Sequence, residues 1–267
     1  MSIESYYDKK SANYDAVRGT LFFRVYDKIT WQYLEPYVPS SQDALVLDAA
    51  GGTGTWTVKM AKKGCRVVLV DISDEMLNVA REKIEKEGLQ HRVEVKKGDI
   101  KQLDYPEEAF DMVLCEHALF LFKNQDQVMK ELVRVLKKKA PIIISAQNRY
   151  AQSLAHLPES PVPEKLEQAL NILLGVQHDA MAPDGAIEIY SLTPSELRDL
   201  LERNGLRVEK IVCKGVTTPL RLAPQFIMVK DYSEDILNKM LKLELAFCER
   251  QDALALAAHL QAIAYKL

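Results

Sequence analysis

The sequence has few cysteines, and none of them lies in a pairing pattern. The 267 residues include four, Cys65, Cys115, Cys213 and Cys248, and no two are at C-x-x-C spacing. This spacing gives no support to a zinc ribbon, a thioredoxin-like site or a disulfide framework. We therefore expect no metal site and a reducing, cytoplasmic compartment.

Long apolar runs and an excess of charge of one sign are also absent. No stretch of about 18 apolar residues occurs, and the polar N-terminus lacks the apolar region of a signal peptide. The 35 basic and 38 acidic residues give a formal net charge of −3. We therefore expect no membrane span, and the overall charge does not favour a nucleic-acid partner.

Short apolar segments alternate with amphipathic ones along the first half of the chain. They predict five strands, at residues 44–48, 66–70, 92–96, 110–114 and 141–145. Between them, the clearest predicted helices are 55–63, 74–87 and 125–138, the last with a lysine-rich final turn. This alternation predicts a doubly wound α/β fold, with a mostly parallel sheet covered on both faces. Such sheets bind ligands at the carboxyl ends of their strands.

The alternation stops after residue 149. Residues 150–190 contain four prolines and one helical stretch near 163–175, which indicates an inserted cap over the sheet. The remaining segments predict a helix from the Thr193 N-cap to Gly205, a strand at 207–213, a loop at 214–231, a helix near 233–257 and a strand at 258–266. We therefore expect one domain over residues 1–267 with a seven-stranded sheet, divided into N-terminal helices at 1–38, a core at 39–149, the cap insertion at 150–190 and a C-terminal completion at 191–267.

A glycine turn follows the first predicted strand. Asp48 precedes the run Ala49-Ala50-Gly51-Gly52-Thr53-Gly54, and Asp71 ends the second strand. Glycines let a ligand approach the backbone closely, and an acid at the end of strand two is placed to bind ribose hydroxyls. The G-x-G-x-x-G turn of dinucleotide enzymes is missing. Asp48 would repel a pyrophosphate, so it suits a ligand with an ammonium or sulfonium group.

Four motifs in order make the chain resemble the class I S-adenosylmethionine-dependent methyltransferases, most closely the small-molecule enzymes similar to those of quinone biosynthesis. The first motif keeps Asp48, Gly52 and Gly54, with Ala50 in place of the usual first glycine. The other three are DISDEML at 71–77, GDI at 98–100 and FDMVLCEHAL at 110–119. The resemblance implies a Rossmann-like methyltransferase fold and S-adenosylmethionine as the cofactor, with S-adenosylhomocysteine as its product.

The resemblance also implies roles for individual residues. Asp48 and Ala50 belong to the turn that binds the cofactor. Gly52 and Gly54 would lie beneath the methionyl part, and the backbone near Cys115 would contact the ammonium group. Asp71 would bind the ribose, Ile72 and Met76 would lie beside the adenine, and Asp99 and Ile100 would contact its amino group and ring. At the N-terminus, Tyr14 and Arg18 would lie on a lid that folds over the cofactor, with Arg18 pairing its carboxylate. The alternative is a surface helix whose tyrosines are half-buried on the sheet.

His117, just past the fourth strand, is the candidate catalytic residue. It could act as a general base or form a polar wall of the acceptor pocket, and Glu116 presents the same choice. The alternative for His117 is a structural histidine bonded to nearby backbone. Met181, Phe226 and Met228 could line an apolar acceptor cavity or belong to the core.

The predicted reaction is direct methyl transfer to a nucleophilic atom of a small-molecule acceptor, because a positively charged donor needs mainly alignment and exclusion of water. The fourth motif lacks the Asn/Asp-Pro-Pro-Tyr/Phe pattern of adenine and glutamine methylases. RNA or protein methylation, a cofactor-binding regulatory protein without turnover, and a dehydrogenase remain as alternatives. The sequence does not identify the acceptor or the oligomeric state.

Overall fold

The structure, a computed structural model, describes residues 2–155, 162–181, 187–215 and 229–267. The strands of its main sheet are β1 Leu45–Ala49, β2 Arg66–Asp71, β3 Val93–Lys97, β4 Met112–Cys115, β5 Pro141–Gln147, β8 Leu206–Lys214 and β9 His259–Lys266. Two short strands, β6 Asp179–Met181 and β7 Ile187–Ile189, form a separate antiparallel pair.

Helices cover both faces of the sheet. Within the described residues they are α1 Ile3–Arg18, α2 Leu21–Leu34, α3 Thr55–Lys62, α4 Asp74–Lys86, α5 Gln125–Val135, α6 Arg149–Ala155, α7 Pro163–Leu173, α8 Pro194–Arg203 and α9 Glu234–Cys248. No helix in these parts of the chain is long and apolar enough to cross a membrane.

The main sheet has the strand order β3-β2-β1-β4-β5-β9-β8. Only β9 runs antiparallel to its neighbours, so the other six strands point the same way. The order reverses between β1 and β4, and ligands bind such sheets at this switch point. The predicted seven-stranded, mostly parallel, doubly wound sheet is therefore confirmed.

The core lies on both sides of this sheet. On one face the side chains of β1, β4 and β5 pack with those of α5 and α8, and on the other they pack with α2, α3 and α4. Because these strands are buried on both faces, their sequences are nearly continuous runs of apolar residues. The sheet therefore provides a rigid base for the loops at its carboxyl edge.

Capping residues begin the helices where the sequence indicates. Ser73 accepts a hydrogen bond from the Met76 amide at the start of α4. Thr193 and Glu196 form a complete capping box at the start of α8, with Pro194 in the first turn. These caps satisfy amide groups that have no partner within the helix. Ser73 comes two residues after Asp71, so its cap also fixes the end of β2.

Two predicted helices end earlier than expected. The prediction of one helix near 233–257 was wrong, because α9 stops at Cys248 and a separate 3-10 helix follows over Gln251–Leu256, after Arg250 adopts an extended conformation. The predicted helix 125–138 also ends early, at Val135. Its lysine-rich turn lies beyond that end, where Lys137 pairs with Asp111 and Lys139 has a positive φ of 60°.

The segment after residue 149 contains more regular structure than its prolines indicated. The helices α6 and α7 pack together and the pair β6–β7 follows. Some predicted segments lie outside the described parts of the chain. They are residues 156–161 and 182–186 of the predicted cap, residues 216–228 of the predicted loop, which include Phe226 and Met228, and the side chain of Met181.

Candidate active site

A pocket of about 330 Å³ lies at the carboxyl edge of β1, β2 and β4. Eleven of the sequence-predicted site residues line it: Tyr14, Arg18, Asp48, Ala50, Gly52, Asp71, Ile72, Met76, Asp99, Ile100 and His117. Gly54 and Cys115 are not part of the lining. The four predicted motifs therefore meet at one place, although they are spread over about 70 residues of the chain.

The turn after β1 brings its backbone up to the pocket. Ala50 and Gly52 both have left-handed backbone conformations, with φ of 57° and 54°. The left-handed region is strained for alanine, and a glycine at position 50 would relieve it. A Cβ atom on Gly51 would lie 2.8 Å from Cγ of Asp48, so any side chain there would displace the acid. Gly51, which is not among the predicted site residues, is therefore required by the turn.

Gly54 has a structural role in the turn, and its predicted contact with the cofactor stays a prediction. It is the N-cap of α3 with φ of 73°, and a Cβ atom there would lie 3.1 Å from Cβ of Ala80. It therefore allows α3 to begin close to α4, and it supports the pocket from outside its wall.

Asp71 binds the backbone of two loops, the glycine turn after β1 and the turn that follows β2. Its Oδ2 accepts the Gly52 amide at 2.8 Å and its Oδ1 accepts the Ser73 amide at 2.9 Å. Burial raises the pKa of this carboxyl from its usual value, and the two amides oppose the rise. Each oxygen keeps a further lone pair, so the carboxylate can still accept two hydroxyl groups.

Asp48 is buried almost completely. Its Oδ2 accepts the Thr57 hydroxyl at 2.6 Å, and burial raises the pKa of its carboxyl to about 7. No cation is paired with it among the described residues. A cationic group that binds beside Asp48 would therefore favour the ionised form of its carboxyl.

The adenine side predicted by the resemblance is mostly apolar. Ile72, Met76 and Ile100 line the pocket beside Asp99. The Asp99 carboxylate accepts the Lys101 amide at 2.9 Å and pairs with the Lys101 ammonium at 3.2 Å. These residues can hold a flat ring between apolar side chains with one acceptor at its edge.

The helix α1 contributes one wall of the pocket through Ile3, Tyr7, Tyr14 and Arg18. The Arg18 guanidinium is already paired, because it donates to the carboxylate of Asp27 on α2. Burial raises the pKa of the Tyr14 hydroxyl, which therefore stays protonated. Arg18 thus faces the pocket with part of its donor capacity taken by Asp27.

Two aspartates attach α1 to the loops of the core. Asp8 accepts the Ser73 hydroxyl at 2.6 Å, at the N-terminus of α4 where a negative charge is favoured. Asp15 accepts the Thr53 hydroxyl at 2.9 Å and pairs with Lys83 at 2.6 Å. Thr53 lies in the glycine turn and Ser73 follows Asp71, so α1 is bonded to the same two loops that form the base of the pocket.

Glu116 and His117 form the wall at the end of β4. The Glu116 Oε1 accepts the Lys214 ammonium at 2.6 Å and the Tyr26 hydroxyl at 3.0 Å. His117 has a positive φ of 62°, its amide donates to Ser145, and burial lowers the pKa of its ring to about 4. The His117 ring is therefore neutral at pH 7. Among the described residues, no group of three His, Cys, Asp or Glu side chains is arranged to hold a metal ion.

Sequence reasoning missed much of the remaining lining. Thr53, Thr55, Trp56, Lys101 and Ala118 line the pocket beside predicted positions, and a second group follows the fourth motif: Leu121, Phe122, Lys123, Asn124 and Gln127. The second group lies in the 3-10 helix Leu119–Leu121 and the turn into α5. The sequence signal that could have identified this second group is its position shortly after His117 in the chain.

Comparisons with known proteins agree with this arrangement. A family profile described as a methyltransferase domain matches residues 46–139. The ubiquinone/menaquinone biosynthesis C-methyltransferase UbiE of Hydrogenovibrio crunogenus is 29% identical over 155 residues, which cover 57% of this chain and 61% of that protein. The demethylmenaquinone methyltransferase of Lactobacillus johnsonii is 30% identical over 165 residues, covering 60% and 67%. The matched region thus spans about three fifths to two thirds of the length of these relatives.

Solved structures show the same fold. An S-adenosylmethionine-dependent methyltransferase from Listeria monocytogenes has a TM-score of 0.62 at 19% identity, covering 89% of this chain and 96% of the other. The [4+2]-cyclase SpnF has a TM-score of 0.60 at 18% identity, covering 90% and 81%. At these identities the likeness concerns the fold alone.

Proposed function

The chain belongs to the class I S-adenosylmethionine-dependent methyltransferases, and we propose that it transfers a methyl group from S-adenosylmethionine to a small-molecule acceptor. The observation that supports this most strongly is the convergence of Asp48, Asp71 and Asp99 on one pocket, with a glycine turn at its base. When bound, the cofactor supplies a methyl group on a positively charged sulfur.

The residues of the pocket fit this cofactor. The Asp71 carboxylate is placed at the end of β2 to accept ribose hydroxyls, and Ile72, Met76 and Ile100 offer apolar surfaces to the adenine. Asp48 has a buried carboxyl with no cationic partner among the described residues, which suits the ammonium group. A pyrophosphate would instead meet an acid, so a dinucleotide fits this turn less well.

We further propose that α1 acts as a lid. It closes one side of the pocket with Tyr7 and Tyr14 and is bonded to the base loops through Asp8 and Asp15. A lid of this kind excludes water and holds the reacting groups in line. Cofactor entry then requires the polar contacts of Asp8 and Asp15 to break, because α1 covers the two loops that would bind the cofactor.

The acceptor lies, in this proposal, on the side of the pocket formed by Glu116, His117 and the segment after them. The relatives named above are methyltransferases of ubiquinone and menaquinone biosynthesis, which makes hydroxylated aromatic rings the first acceptors to test. The pocket is small and partly roofed by α1, so a compact molecule fits it better than a folded RNA or protein. We place the enzyme in the cytoplasm, because its four cysteines are buried thiols without disulfides.

A labelled-methyl transfer assay tests the proposed function. Purified protein would be incubated with methyl-labelled S-adenosylmethionine and a panel of phenols, hydroquinones, amines and thiols, with Asp71→Ala as the matched variant. We expect label in at least one small acceptor, and much less with the variant. Label only in RNA or protein substrates would overturn the proposal, as would cofactor binding without transfer to any acceptor.

A further inference from the structure

Six aromatic side chains at the carboxyl edge of the sheet pack against one another in one continuous cluster. They come from the first half of α2, the segment after β4 and the first residue of β9, and we call them the aromatic wall: Phe22, Phe23, Tyr26, His117, Phe120 and His259. Neighbouring rings lie 4.9–6.4 Å apart between their centres, and most of them meet edge to face. Such distances and angles are those of favourable aromatic contacts.

Most of the aromatic wall is accessible to a ligand. Two of its rings are buried and four are only half-buried: Phe22, Phe23, His117 and His259. His117 also lines the pocket, so the wall and the pocket share a surface. Arg18 makes a second connection, because its guanidinium lies 5.7 Å from the centre of the Phe23 ring and 5.9 Å from that of Trp56, another lining residue. A molecule on the wall would therefore reach the edge of the cofactor pocket.

The charged groups beside the aromatic wall are paired with each other. The Arg18 guanidinium donates to the carboxylate of Asp27, and the Lys214 ammonium lies 2.6 Å from the carboxylate of Glu116. Burial lowers the pKa of the His117 ring to about 4, so this ring is neutral at pH 7. An ion that left water for such a surface would lose its hydration and compete with counter-charges already in place. The wall therefore suits an uncharged molecule better than an ion.

We propose that the aromatic wall is the acceptor subsite, and that it binds an uncharged aromatic ring through contacts with its half-buried rings. This inference rests on the proposed function and narrows its substrate class. A ring held there would present its nucleophilic atom beside His117, where the wall meets the cofactor pocket. Contacts between aromatic rings add to the burial of apolar surface, so they favour a flat aromatic acceptor over a saturated one of the same size.

His117 binds the acceptor, in this proposal, as one member of the wall. Its amide donates to Ser145 at 2.6 Å, and the centre of its ring lies 5.1 Å from that of Phe120 and 4.9 Å from that of His259. These contacts hold the imidazole in one orientation. A neutral imidazole can contact an aromatic ring and can also form a hydrogen bond with a hydroxyl group on that ring. The remaining rings of the wall supply apolar surface.

Two probes with the same carbon skeleton, 2-naphthol and decahydro-2-naphthol, test this assignment by direct binding. Protein saturated with S-adenosylhomocysteine would be titrated with each in a calorimeter. The saturated probe is the more apolar, so burial alone would favour it, whereas ring contacts favour 2-naphthol. We expect 2-naphthol to bind about tenfold more tightly, the gain expected from two ring contacts. The anion 2-naphthoate should bind more weakly than 2-naphthol, and tighter binding would contradict an uncharged acceptor.

The double variant F22L/F23L should remove this preference. Leucine keeps an apolar side chain at both positions but has no ring, so the affinity ratio of the two probes should fall close to unity. Tyr105→Leu is the matched control, because Tyr105 is a half-buried ring that packs on Phe110 outside the pocket lining. An unchanged ratio in F22L/F23L, with normal affinity for S-adenosylhomocysteine, would overturn the assignment. A wild type that does not bind 2-naphthol at millimolar concentration would overturn it as well.

The single variants cover the case in which F22L/F23L folds poorly, since α2 also carries part of the core. Phe22→Leu and Phe23→Leu each remove one ring contact, so each should lower the ratio about threefold. Unchanged ratios in both would contradict the proposal. The ratios do not depend on turnover. Failure of methyl transfer with an intact ratio therefore counts against the proposed function alone, and transfer with a ratio that these variants do not change counts against the aromatic wall alone.

Discussion

We propose that the single residue Asp71 connects the cofactor to the backbone of the site. It already holds the amides of Gly52 and Ser73, and the ribose hydroxyls would add to these bonds. We expect Asp71→Ala to weaken the binding of S-adenosylhomocysteine by about 1–3 kcal/mol, the range for buried polar groups left unsatisfied. Calorimetric titration measures the change.

Asp74 supplies the matched control for this prediction. It lies three residues further on, is exposed, and pairs with Lys97 outside the pocket. Asp74→Asn should leave the affinity almost unchanged. An Asp71→Ala variant that binds as tightly as the wild type would remove the ribose role from Asp71.

We expect Asp48 to make cofactor binding depend on pH. Its pKa of about 7 in the free protein means that half of the molecules carry a protonated carboxyl at that pH. A cationic ammonium group favours the ionised form, and an α-amino group stays protonated below about pH 7.7. The affinity for S-adenosylhomocysteine should therefore be nearly constant just above pH 7 and fall below it, approaching tenfold per pH unit.

Calorimetry between pH 5.5 and 7.5 measures this slope. Asp48→Asn cannot ionise, so its affinity should be lower at pH 7.5 and nearly independent of pH over the range. A wild-type affinity that does not change with pH would show that Asp48 does not bind the ammonium as a carboxylate.

At the scale of elements, α1 should control how quickly the cofactor leaves. Asp8 and Asp15 bond it to the two base loops, and removing both charges weakens those bonds. We expect the double variant D8N/D15N to release S-adenosylhomocysteine faster, on the order of tenfold. Trp56 lines the pocket, so stopped-flow fluorescence can follow the release.

Lys9→Gln is the control for this helix, because Lys9 is an exposed residue of α1 next to Asp8. Its release rate should match that of the wild type. Equal release rates in D8N/D15N and Lys9→Gln would mean that α1 does not act as a lid.

The same elements show how far the sequence could be interpreted. The alternation of strands and helices and the glycine turn after β1 are local patterns, so the sheet and the pocket base were predictable. The early end of α9 was not, because it depends on the extended conformation of Arg250 rather than on apolar periodicity. The bond that attaches α1 through Asp8 and Ser73 joins residues 65 positions apart, and the Glu116–Lys214 pair joins residues 98 positions apart. No local sequence pattern predicts such contacts.

At the scale of the whole molecule, the Glu116–Lys214 pair joins three distant parts of the chain. It connects the end of β4 with β8, and through Tyr26 and Thr30 with α2. Removing one partner of a buried pair leaves an uncompensated charge. We therefore expect Lys214→Met to lower the free energy of unfolding by about 3–5 kcal/mol.

Denaturant unfolding of three proteins checks this prediction. The double variant E116Q/K214M has no orphan charge, so it should recover a large part of the stability lost in Lys214→Met. A double variant as unstable as the single one would show that packing around Lys214, and not its charge, stabilises the molecule.

We propose above all that the pocket at the carboxyl edge of β1, β2 and β4 binds S-adenosylmethionine. Calorimetric titration of the purified wild-type protein with S-adenosylhomocysteine, followed by a competition titration with NAD, tests it most directly. We expect one S-adenosylhomocysteine site per chain and no displacement by NAD, because Asp48 opposes a pyrophosphate. Displacement by NAD, or the absence of S-adenosylhomocysteine binding, would contradict it.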